Sequence, residues 1–287
     1  MLKRTLSQVF LLGLIATMAA VFIATRSNPA QDMVLSVTAI ALIALSLGME
    51  RLFPLHTDWN KDQGETSGDV TSFIVIFGIL DGALKFLMPF LILTFLPDVQ
   101  IGLALPFWTE VVLVTLLIEF GAWVSHWAHH SYPRLWAFHA MHHSPERLYT
   151  LNNFRFHPLN HIATYVLVFT PPLLLGLSQD ALLAYAALTL PIVLFQHSNI
   201  RFDFGVLNYL FNTNELHRWH HSAAPKEGTK NLGRALVIWD QLFGTFLAPT
   251  QRSEPKSIGL FAASRSFPKA QSLLRQITWP FCKTCCA

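Results

Sequence analysis

The sequence predicts an all-α integral membrane protein, and three observations support that prediction. Hydrophobic residues make up 52% of the 287-residue chain, whereas charged residues make up only 13%, about half their share in soluble domains. The apolar residues are concentrated in long runs. Residues 5–25, for example, contain no Asp, Glu, Lys or Arg, and a helix needs about 20 apolar residues to cross a bilayer.

Six apolar runs organise the chain. Four are long enough for membrane spans, and we expect these spans at residues 5–25, 33–49, 70–96 and 106–125. Asp81, Gly82 and Lys85 interrupt the third run, which predicts a long or broken helix. A cleaved signal peptide is the alternative for the first run, because Lys3 and Arg4 precede it and small residues lie near its end.

The two remaining runs, 162–177 and 181–197, predict a short apolar hairpin. Each run is short for a full crossing, so the hairpin is either re-entrant or a pair of spans. Pro171 and Pro172 are expected to break its first helix, because proline lacks a backbone N–H and clashes with the preceding turn.

The positive charges predict how the chain is oriented. If the N-terminus is cytoplasmic and every run crosses, the outer connections are 26–32, 97–105 and 178–180, which hold one basic residue, Arg26. Lys85 lies within a span. All other Lys and Arg, and all 13 histidines, then lie on the cytoplasmic side, as the positive-inside rule requires. We therefore expect a multi-pass protein of a bacterial inner membrane or an ER-type membrane, with its histidines facing the cytoplasm.

Charge and cysteine content exclude two other classes. A net charge of +3 is too small to predict a nucleic acid partner. The three cysteines, Cys282, Cys285 and Cys286, all lie in the last six residues, so they cannot form a disulfide framework for the fold. They could bind metal or carry a lipid, but we interpret them as part of a tail.

Eight histidines form three closely spaced motifs. They are His126 and His130 in an HxxxH motif, and two HxxHH motifs at His139, His142 and His143 and at His217, His220 and His221. Residues three and four apart share a face of a helix. We therefore expect each HxxHH motif to present three imidazoles to one side.

This histidine pattern predicts a metal centre. Neutral imidazole is a common metal ligand, and it suits zinc, copper, iron and nickel alike. One zinc ion takes four ligands, so eight or more histidines predict two metals or an expanded site. The HExxH motif of metalloproteases is absent. The histidines also lie at one membrane face, whereas a transporter needs polar ligands near the midplane.

The order HxxxH, HxxHH, HxxHH resembles the fatty acid hydroxylase and sterol desaturase superfamily of membrane di-iron enzymes. Four further stretches strengthen the resemblance, which covers roughly residues 110–247. They are Pro133 to Ser144 around the second histidine box, Arg155-Phe-His157-Pro158 (RxHP), Gln196-His197-Ser198-Asn199, and Asn231-Leu-Gly233 followed by Trp239-Asp240-Gln-Leu-Phe-Gly-Thr245.

The resemblance implies nine metal ligands: His126, His130, His139, His142, His143, His197, His217, His220 and His221. It leaves His157 as either an extra ligand or a supporting residue. Ligating imidazoles need partners for their second nitrogen. The polar candidates nearby in sequence are Glu119, Asn199, Glu215, Asn231 and Asp240.

Some positions depart from the family pattern or lie outside it. Trp127 stands where the family usually has Arg, Asn160 where it often has Glu, and Glu119 where Asp is common. We expect these changes to alter electrostatics or donor contact without removing a ligand. Three histidines lie outside the family pattern or stand alone, and we interpret them as structural: His56, His129 and His161.

The resemblance further implies a membrane monooxygenase that uses two Fe ions and O2 to hydroxylate the acyl or alkyl chain of a membrane lipid. Zinc could replace iron in overexpressed protein. Alternatives are a lipid or sterol desaturase of the same superfamily and a non-redox, histidine-rich metal-binding or transport protein.

The predicted reaction needs a separate electron donor. The chain has neither a dinucleotide GxGxxG motif, nor a CxxCH haem motif, nor a ferredoxin-like cysteine set. A reductase, a cytochrome b5-like protein or a ferredoxin-like protein would therefore supply electrons. The predicted organisation is N-terminal spans at 1–105, a fatty acid hydroxylase-like di-iron domain at 106–250 and a tail at 251–287.

Overall fold

Four long apolar helical stretches dominate the fold, as the sequence predicts. The computed structural model describes residues 2–96, 101–248, 254–264, 266–269 and 272–282. The long stretches are α1 (Leu2–Thr25), α2 (Gln31–Leu52), the continuous helix Thr66–Phe95 and α5 (Phe107–Ser131), each long and apolar enough to cross a membrane. Within the described residues the chain forms no β-strand, and extended segments meet only in isolated bridges.

The third stretch is continuous but irregular. It consists of α3 (Thr66–Ser72), a π-helical segment (Phe73–Leu80) and α4 (Asp81–Phe95). Asp81 and Lys85 do not break it, because they pair one turn apart at 3.1 Å. The irregularity is the π-helical segment just before Asp81, a conformation that is rare and often found near functional sites.

The apolar hairpin is formed by α7 (Pro158–Leu174) and α8 (Gln179–Phe195). The expected break at Pro171 and Pro172 is wrong, since α7 continues to Leu174. Pro171 has no N–H for the Leu167 carbonyl, and that carbonyl packs against Gly121 of α5, 2.8 Å from where a Cβ would lie. Each proline removes the hydrogen bond that its N–H would have donated, and the helix ends within the same turn, at Leu174.

The turn of this hairpin lies at one end of the bundle. Arg26 pairs with Asp180 at 3.0 Å, and the Ser178 hydroxyl donates to Glu110 at the start of α5, at 2.8 Å. The Leu103 N–H donates to the Leu175 carbonyl nearby. The hairpin therefore runs the length of the bundle beside α5 and α1.

A cap of short helices and turns covers the opposite end. Its helices are α6 (Pro133–His139), α9 (Asn214–His220), α10 (Pro225–Gly228), α11 (Ile238–Leu242) and α12 (Leu273–Thr278). The long helices carry exposed apolar side chains such as Phe86 and Ile40, whereas the cap buries many polar ones. This contrast is expected when the helices face lipid and the cap encloses a polar site.

Buried carboxylates on the long helices tie the cap to the bundle. The Glu50 carboxylate of α2 accepts hydrogen bonds from the N–H groups of Thr150 and Asn199 at 2.7 and 2.8 Å. Asp69 of α3 accepts hydrogen bonds from Tyr149 and Arg155. Helix α2 and the continuous helix Thr66–Phe95 therefore hold the cap segments that lead into the histidines.

Of the three C-terminal cysteines, the structure describes only Cys282. Cys282 is exposed and free. Cys285 and Cys286 lie outside the described residues, so their interpretation as a tail stays a prediction.

Candidate metal centre

All nine histidines implied by the sequence come together in the cap, in two adjoining clusters. Within each cluster, one nitrogen of every ring lies within 4.8 Å of the others. Cluster A consists of His126, His130, His139, His143 and His220. Cluster B consists of His142, His197, His217 and His221.

The expectation that each HxxHH motif presents three imidazoles to one side is wrong. The first and last histidines of each motif enter one cluster, and the middle histidine enters the other. Helix α6 ends at His139, so His142 and His143 lie in the turn that follows it. Spacing along an ideal helix therefore does not determine which cluster a histidine joins.

Five of the nine rings are oriented through a hydrogen bond at Nδ1. Three donate to backbone carbonyls: His126 to Leu232 at 2.8 Å, His142 to Arg155 at 3.2 Å and His220 to Lys230 at 3.0 Å. Two donate to amide side chains: His139 to Asn160 at 2.8 Å and His197 to Asn152 at 2.7 Å. Such bonds fix a ring's orientation and leave Nε2 to bind a metal.

Cluster A contains a contact that calls for a cation. Both His126 and His139 donate a proton from Nδ1, so each neutral ring has only a lone pair at Nε2. These two Nε2 atoms lie 3.0 Å apart, where the lone pairs repel each other. A metal ion coordinated by both atoms would replace that repulsion with two bonds.

Unpartnered nitrogens support the same interpretation in both clusters. Within the described residues, neither ring nitrogen of His130 or His143 has a hydrogen-bond partner, nor does Nε2 of His220. In cluster B, Nδ1 of both His217 and His221 is buried without a partner. Buried polar atoms are rarely left this way, and a metal ion in each cluster would bind one nitrogen of every ring.

Burial keeps the cap histidines neutral. It lowers the pKa of His139, His143 and His221 well below the ordinary value, and repulsion among neighbouring histidines lowers it further. For His142 burial lowers the pKa to about 3. Neutral imidazole is the form that binds metals, so the rings are available as ligands at physiological pH.

The loop at 230–236 supports cluster A through its backbone. Its Lys230 and Leu232 carbonyls orient two cluster histidines, as described above. Glu119 accepts hydrogen bonds from the N–H groups of Ala235 and Leu236, both at 2.9 Å. Asp240 accepts hydrogen bonds from the N–H groups of Leu232 and Gly233, both at 2.8 Å.

Asn231 belongs to the same support. It adopts a left-handed backbone conformation with φ of 55°, which asparagine tolerates better than most residues. Its side-chain amide donates to the carbonyls of Leu216 and Leu247. Glu119, Asp240 and Asn231 therefore act on the cluster through the loop backbone, without contacting the imidazoles.

Three other candidates have different roles. Asn199 bonds the backbone of His56 and not a cluster histidine. Glu215 accepts hydrogen bonds from the Phe204 N–H and the Asn208 amide. His157 lies outside both clusters: its Nδ1 caps α7 by accepting from the Leu159 N–H, and its Nε2 bonds the Ile277 carbonyl. The structure therefore does not favour His157 as an extra ligand.

The three histidines interpreted as structural lie outside both clusters. His129 donates to the Ser125 carbonyl one turn earlier in α5, at 2.7 Å. His161 lies 3.5 Å from the Asp81 carboxylate. His56 bonds Glu254 at 2.7 Å.

Sequence reasoning missed two supporting residues, Asn152 and Asn160. Asn152 lies in a 3-10 helix (Thr150–Phe154), where its amide also donates to the Arg147 carbonyl. Asn160 was recognised only as a departure from the family pattern. A polar amide near the start of an apolar helix was the available signal, since such a side chain needs a partner when buried.

Comparison with known proteins agrees with this geometry. The sequence profile of the fatty acid hydroxylase family matches residues 111–245. An ornithine lipid hydroxylase of Rhizobium tropici is 34% identical over 257 residues, which cover 86% of this chain and 75% of that protein. The chain belongs to the fatty acid hydroxylase family. This membrane hydroxylase is therefore an oxidoreductase that acts on lipid chains, and the sequence prediction of its family and activity is confirmed.

Shorter stretches of the hydroxylase match two alkylglycerol monooxygenases. The protein of Caenorhabditis elegans is 35% identical over 71 residues, 25% of this chain and 14% of that protein. The protein of Danio rerio is 33% identical over 79 residues, 28% of this chain and 18% of that protein. A comparison with solved structures found no match.

Proposed function

We propose that clusters A and B each hold one iron ion and that the pair uses O2 to hydroxylate an acyl or alkyl chain of a membrane lipid. The observation that carries this proposal is the grouping of nine histidines, seven buried and two half-buried, into two adjoining, nitrogen-only sites. Imidazole ligands suit iron as well as zinc, copper and nickel. Membership of an iron-dependent family favours iron among these metals.

The reaction consumes electrons as well as oxygen. Hydroxylation converts R–H, O2, two electrons and two protons into R–OH and water. Two bound iron ions would supply the oxygen activation that attack on an unactivated C–H bond requires. The chain's own residues fix the rings, keep them neutral and exclude water from them. A separate reductase, cytochrome b5-like protein or ferredoxin-like protein is proposed as the electron donor.

The substrate is proposed to reach the centre from the bilayer. The long helices expose apolar side chains, and the clusters lie at the end of α5 where the cap meets the bundle. The relative of Rhizobium tropici is named for the ornithine lipid that it hydroxylates. An amino-acid-linked or glycerol-linked lipid chain is therefore the class that we propose for this hydroxylase.

The clusters are proposed to face the cytoplasm. The connections 26–30 and 101–106 lie at the end of the bundle opposite the cap, and the basic residues favour that end as the outer one. Reporter fusions after residues 30 and 102 should be outside, and fusions after 60, 150 and 250 inside. A non-cytoplasmic reporter at 150 would contradict the orientation.

The lipid product provides the decisive test. The chain is expressed with each class of electron donor, and extracted lipids are compared by mass spectrometry. One lipid class should gain one oxygen atom, and the gain should disappear with His142→Ala and under anaerobic growth. If wild-type and variant lipids match with every donor, and purified protein with reductant consumes no oxygen in the presence of lipid extract, the proposal fails.

A further inference from the structure

A cavity of about 260 Å³ lies in the cap beside cluster B, outside both clusters. The turn after α2, Glu146 and the segment 254–258 form its walls, and one residue of α9 forms its floor. The side chains used in the argument below are His56, Glu146, Arg218, Glu254 and Lys256. Neither the fold nor the proposed oxygen chemistry assigns a role to this cavity.

The floor of the cavity is a buried arginine that forms no hydrogen bond or ion pair with the described residues. Arg218 is only 4% exposed, and its guanidinium remains charged in proteins. In the part of the chain that the structure describes, no carboxylate lies within ion-pair distance of it and no group accepts a hydrogen bond from it. A buried, unpaired charge is costly, so this arrangement points to a missing anion.

Two other buried arginines of the same molecule show what is usual. Arg147 donates to the Glu65 carboxylate at 3.0 Å and to the Trp59 and Lys61 carbonyls. Arg155 pairs with Asp69 and with Gln276. The chain therefore supplies acceptors for buried guanidinium groups elsewhere, and the cavity at Arg218 is an exception.

The acidic residues on the cavity wall already have partners. Glu254 bonds His56 Nε2 at 2.7 Å, and Glu146 accepts a hydrogen bond from Lys269 at 2.5 Å. Lys256 is exposed on the wall, with no anionic partner among the described residues. Glu254 attracts the Arg218 guanidinium from a distance, but within the described residues no carboxylate forms an ion pair with Arg218 or Lys256.

We propose that this cavity binds a compact anionic group, a phosphate or a carboxylate, held by Arg218 from the floor and by Lys256 from the wall. The planar guanidinium can donate two parallel hydrogen bonds to either group. A water molecule occupies about 30 Å³ in the liquid, so the cavity has room for an anion and a few attached atoms.

A lipid headgroup or a free anion in solution would satisfy this chemistry. His56 follows the end of α2 at Leu52 by four residues, which places the cavity near the level where lipid headgroups lie. Arg218 directly follows His217 of cluster B. A lipid anchored here would therefore be held by its headgroup beside the metal centre, a role that rests on the proposed function.

Thermal unfolding of the full chain in dodecyl maltoside tests the proposal without measuring activity. Inorganic phosphate should raise the Tm of the wild type. Its apparent Kd should rise about tenfold or more in Arg218→Gln, since hydrogen bonds between charged groups are lost, and about two- to fivefold in Lys256→Gln. Arg134→Gln and Lys226→Gln, which remove exposed cations elsewhere, should leave the Kd unchanged.

Short-chain lipids distinguish the two sources of the anion. Dioctanoyl phosphatidic acid should bind at least tenfold more tightly than phosphate if the ligand is a headgroup, whereas uncharged dioctanoylglycerol should have no effect. Equal binding of phosphate and phosphatidic acid would assign the cavity to a free anion. Without any anion, Arg218→Gln should unfold at a higher temperature than the wild type, because it removes the unpaired charge.

The proposal is overturned if neither phosphate nor phosphatidic acid stabilises the wild type, an outcome that does not depend on any variant folding. It is also overturned if Arg218→Gln folds and responds to both as the wild type does. Iron content, measured on the same samples, separates this result from the proposed function. If the protein binds the anion but contains no metal, the proposal for the cavity stands and the proposal for the metal centre fails.

Discussion

Clusters A and B draw on the same two HxxHH motifs but differ in what is added to them. Each cluster takes two histidines from one motif and one from the other. Cluster A gains two more from α5, a candidate membrane span, whereas cluster B gains only His197, just after α8. Cluster A is therefore fixed to the bundle directly, while cluster B depends on the cap.

This difference predicts that cluster A binds its metal ion more tightly than cluster B does. Cluster A has five candidate nitrogens and cluster B has four, and two rings of cluster A lie on one rigid helix. Rigid elements hold a metal site more accurately than turns do. We therefore expect a chelator to remove the metal of cluster B first.

Loss of a single ligand should have the largest effect. His220→Ala removes a ring of cluster A and His142→Ala a ring of cluster B, and each should reduce lipid product to background. Metal content, measured by mass spectrometry, should fall from near two ions per chain to near one in each variant. His129→Ala, on α5 but outside both clusters, should retain both ions. Full activity in either ligand variant would refute the assignment.

Acid should affect the two clusters alike. Burial lowers the pKa of His142 in cluster B to about 3 and that of His143 in cluster A well below its ordinary value, whereas an unfolded histidine titrates near 6.5. Between these values the unfolded chain binds protons that the folded chain does not. The metal-free protein should therefore lose stability as pH falls below about 6.5. An apparent Tm that stays constant from pH 7.5 to 5.5 would contradict this.

The two orienting asparagines provide a matched pair for the comparison. Asn160→Ala frees His139 of cluster A, and Asn152→Ala frees His197 of cluster B. Each should weaken metal binding at its own cluster by about 10- to 100-fold, as measured by competition with a chelator. Asn160→Asp, which keeps an acceptor, should retain more affinity. Equal weakening at both clusters in either variant would show that the asparagines act only on general stability.

The smallest effect is expected from His157. Its replacement by alanine removes the side-chain cap of α7, which costs about 1 kcal/mol, but removes no ring from either cluster. The variant should keep two metals, near-normal product formation and a slightly lower Tm. Loss of a metal ion would restore the alternative that His157 is a ligand.

The spans and the candidate ligands could be predicted because each depends directly on which amino acids occur at which positions. An uncharged run of sufficient length indicates a span, and histidines at metal-ligand spacing indicate a site. The division of each HxxHH motif between the two clusters could not be predicted in this way, because it depends on where the chain turns and not on residue type. In the first motif α6 ends at His139, and the turn that follows sets the directions of His142 and His143. In the second motif His217 and His220 both lie on α9 and still enter different clusters, because histidines of both clusters surround the end of this helix.

Backbone support was also invisible in the sequence. The carbonyls of Leu232, Lys230 and Arg155 orient cluster histidines, but any residue supplies a carbonyl, so residue type does not reveal the role. Glu119 and Asp240 were selected for a role beside the imidazoles. The structure instead places their carboxylates on the loop that carries two of those carbonyls.

The carboxylates that α2 and α3 present to the cap have a consequence for the order of synthesis. Glu50 and Asp69 leave the ribosome long before Thr150, Arg155 and Asn199, the residues that they bind. When the first helices enter the membrane, these two carboxylates therefore have no hydrogen-bond donors, because the cap residues that bind them have not yet been synthesised. A fragment that began at α5 would contain every candidate ligand, yet the N–H groups of Thr150 and Asn199 would lack their acceptor. We expect such a fragment to enter the membrane without closing its cap.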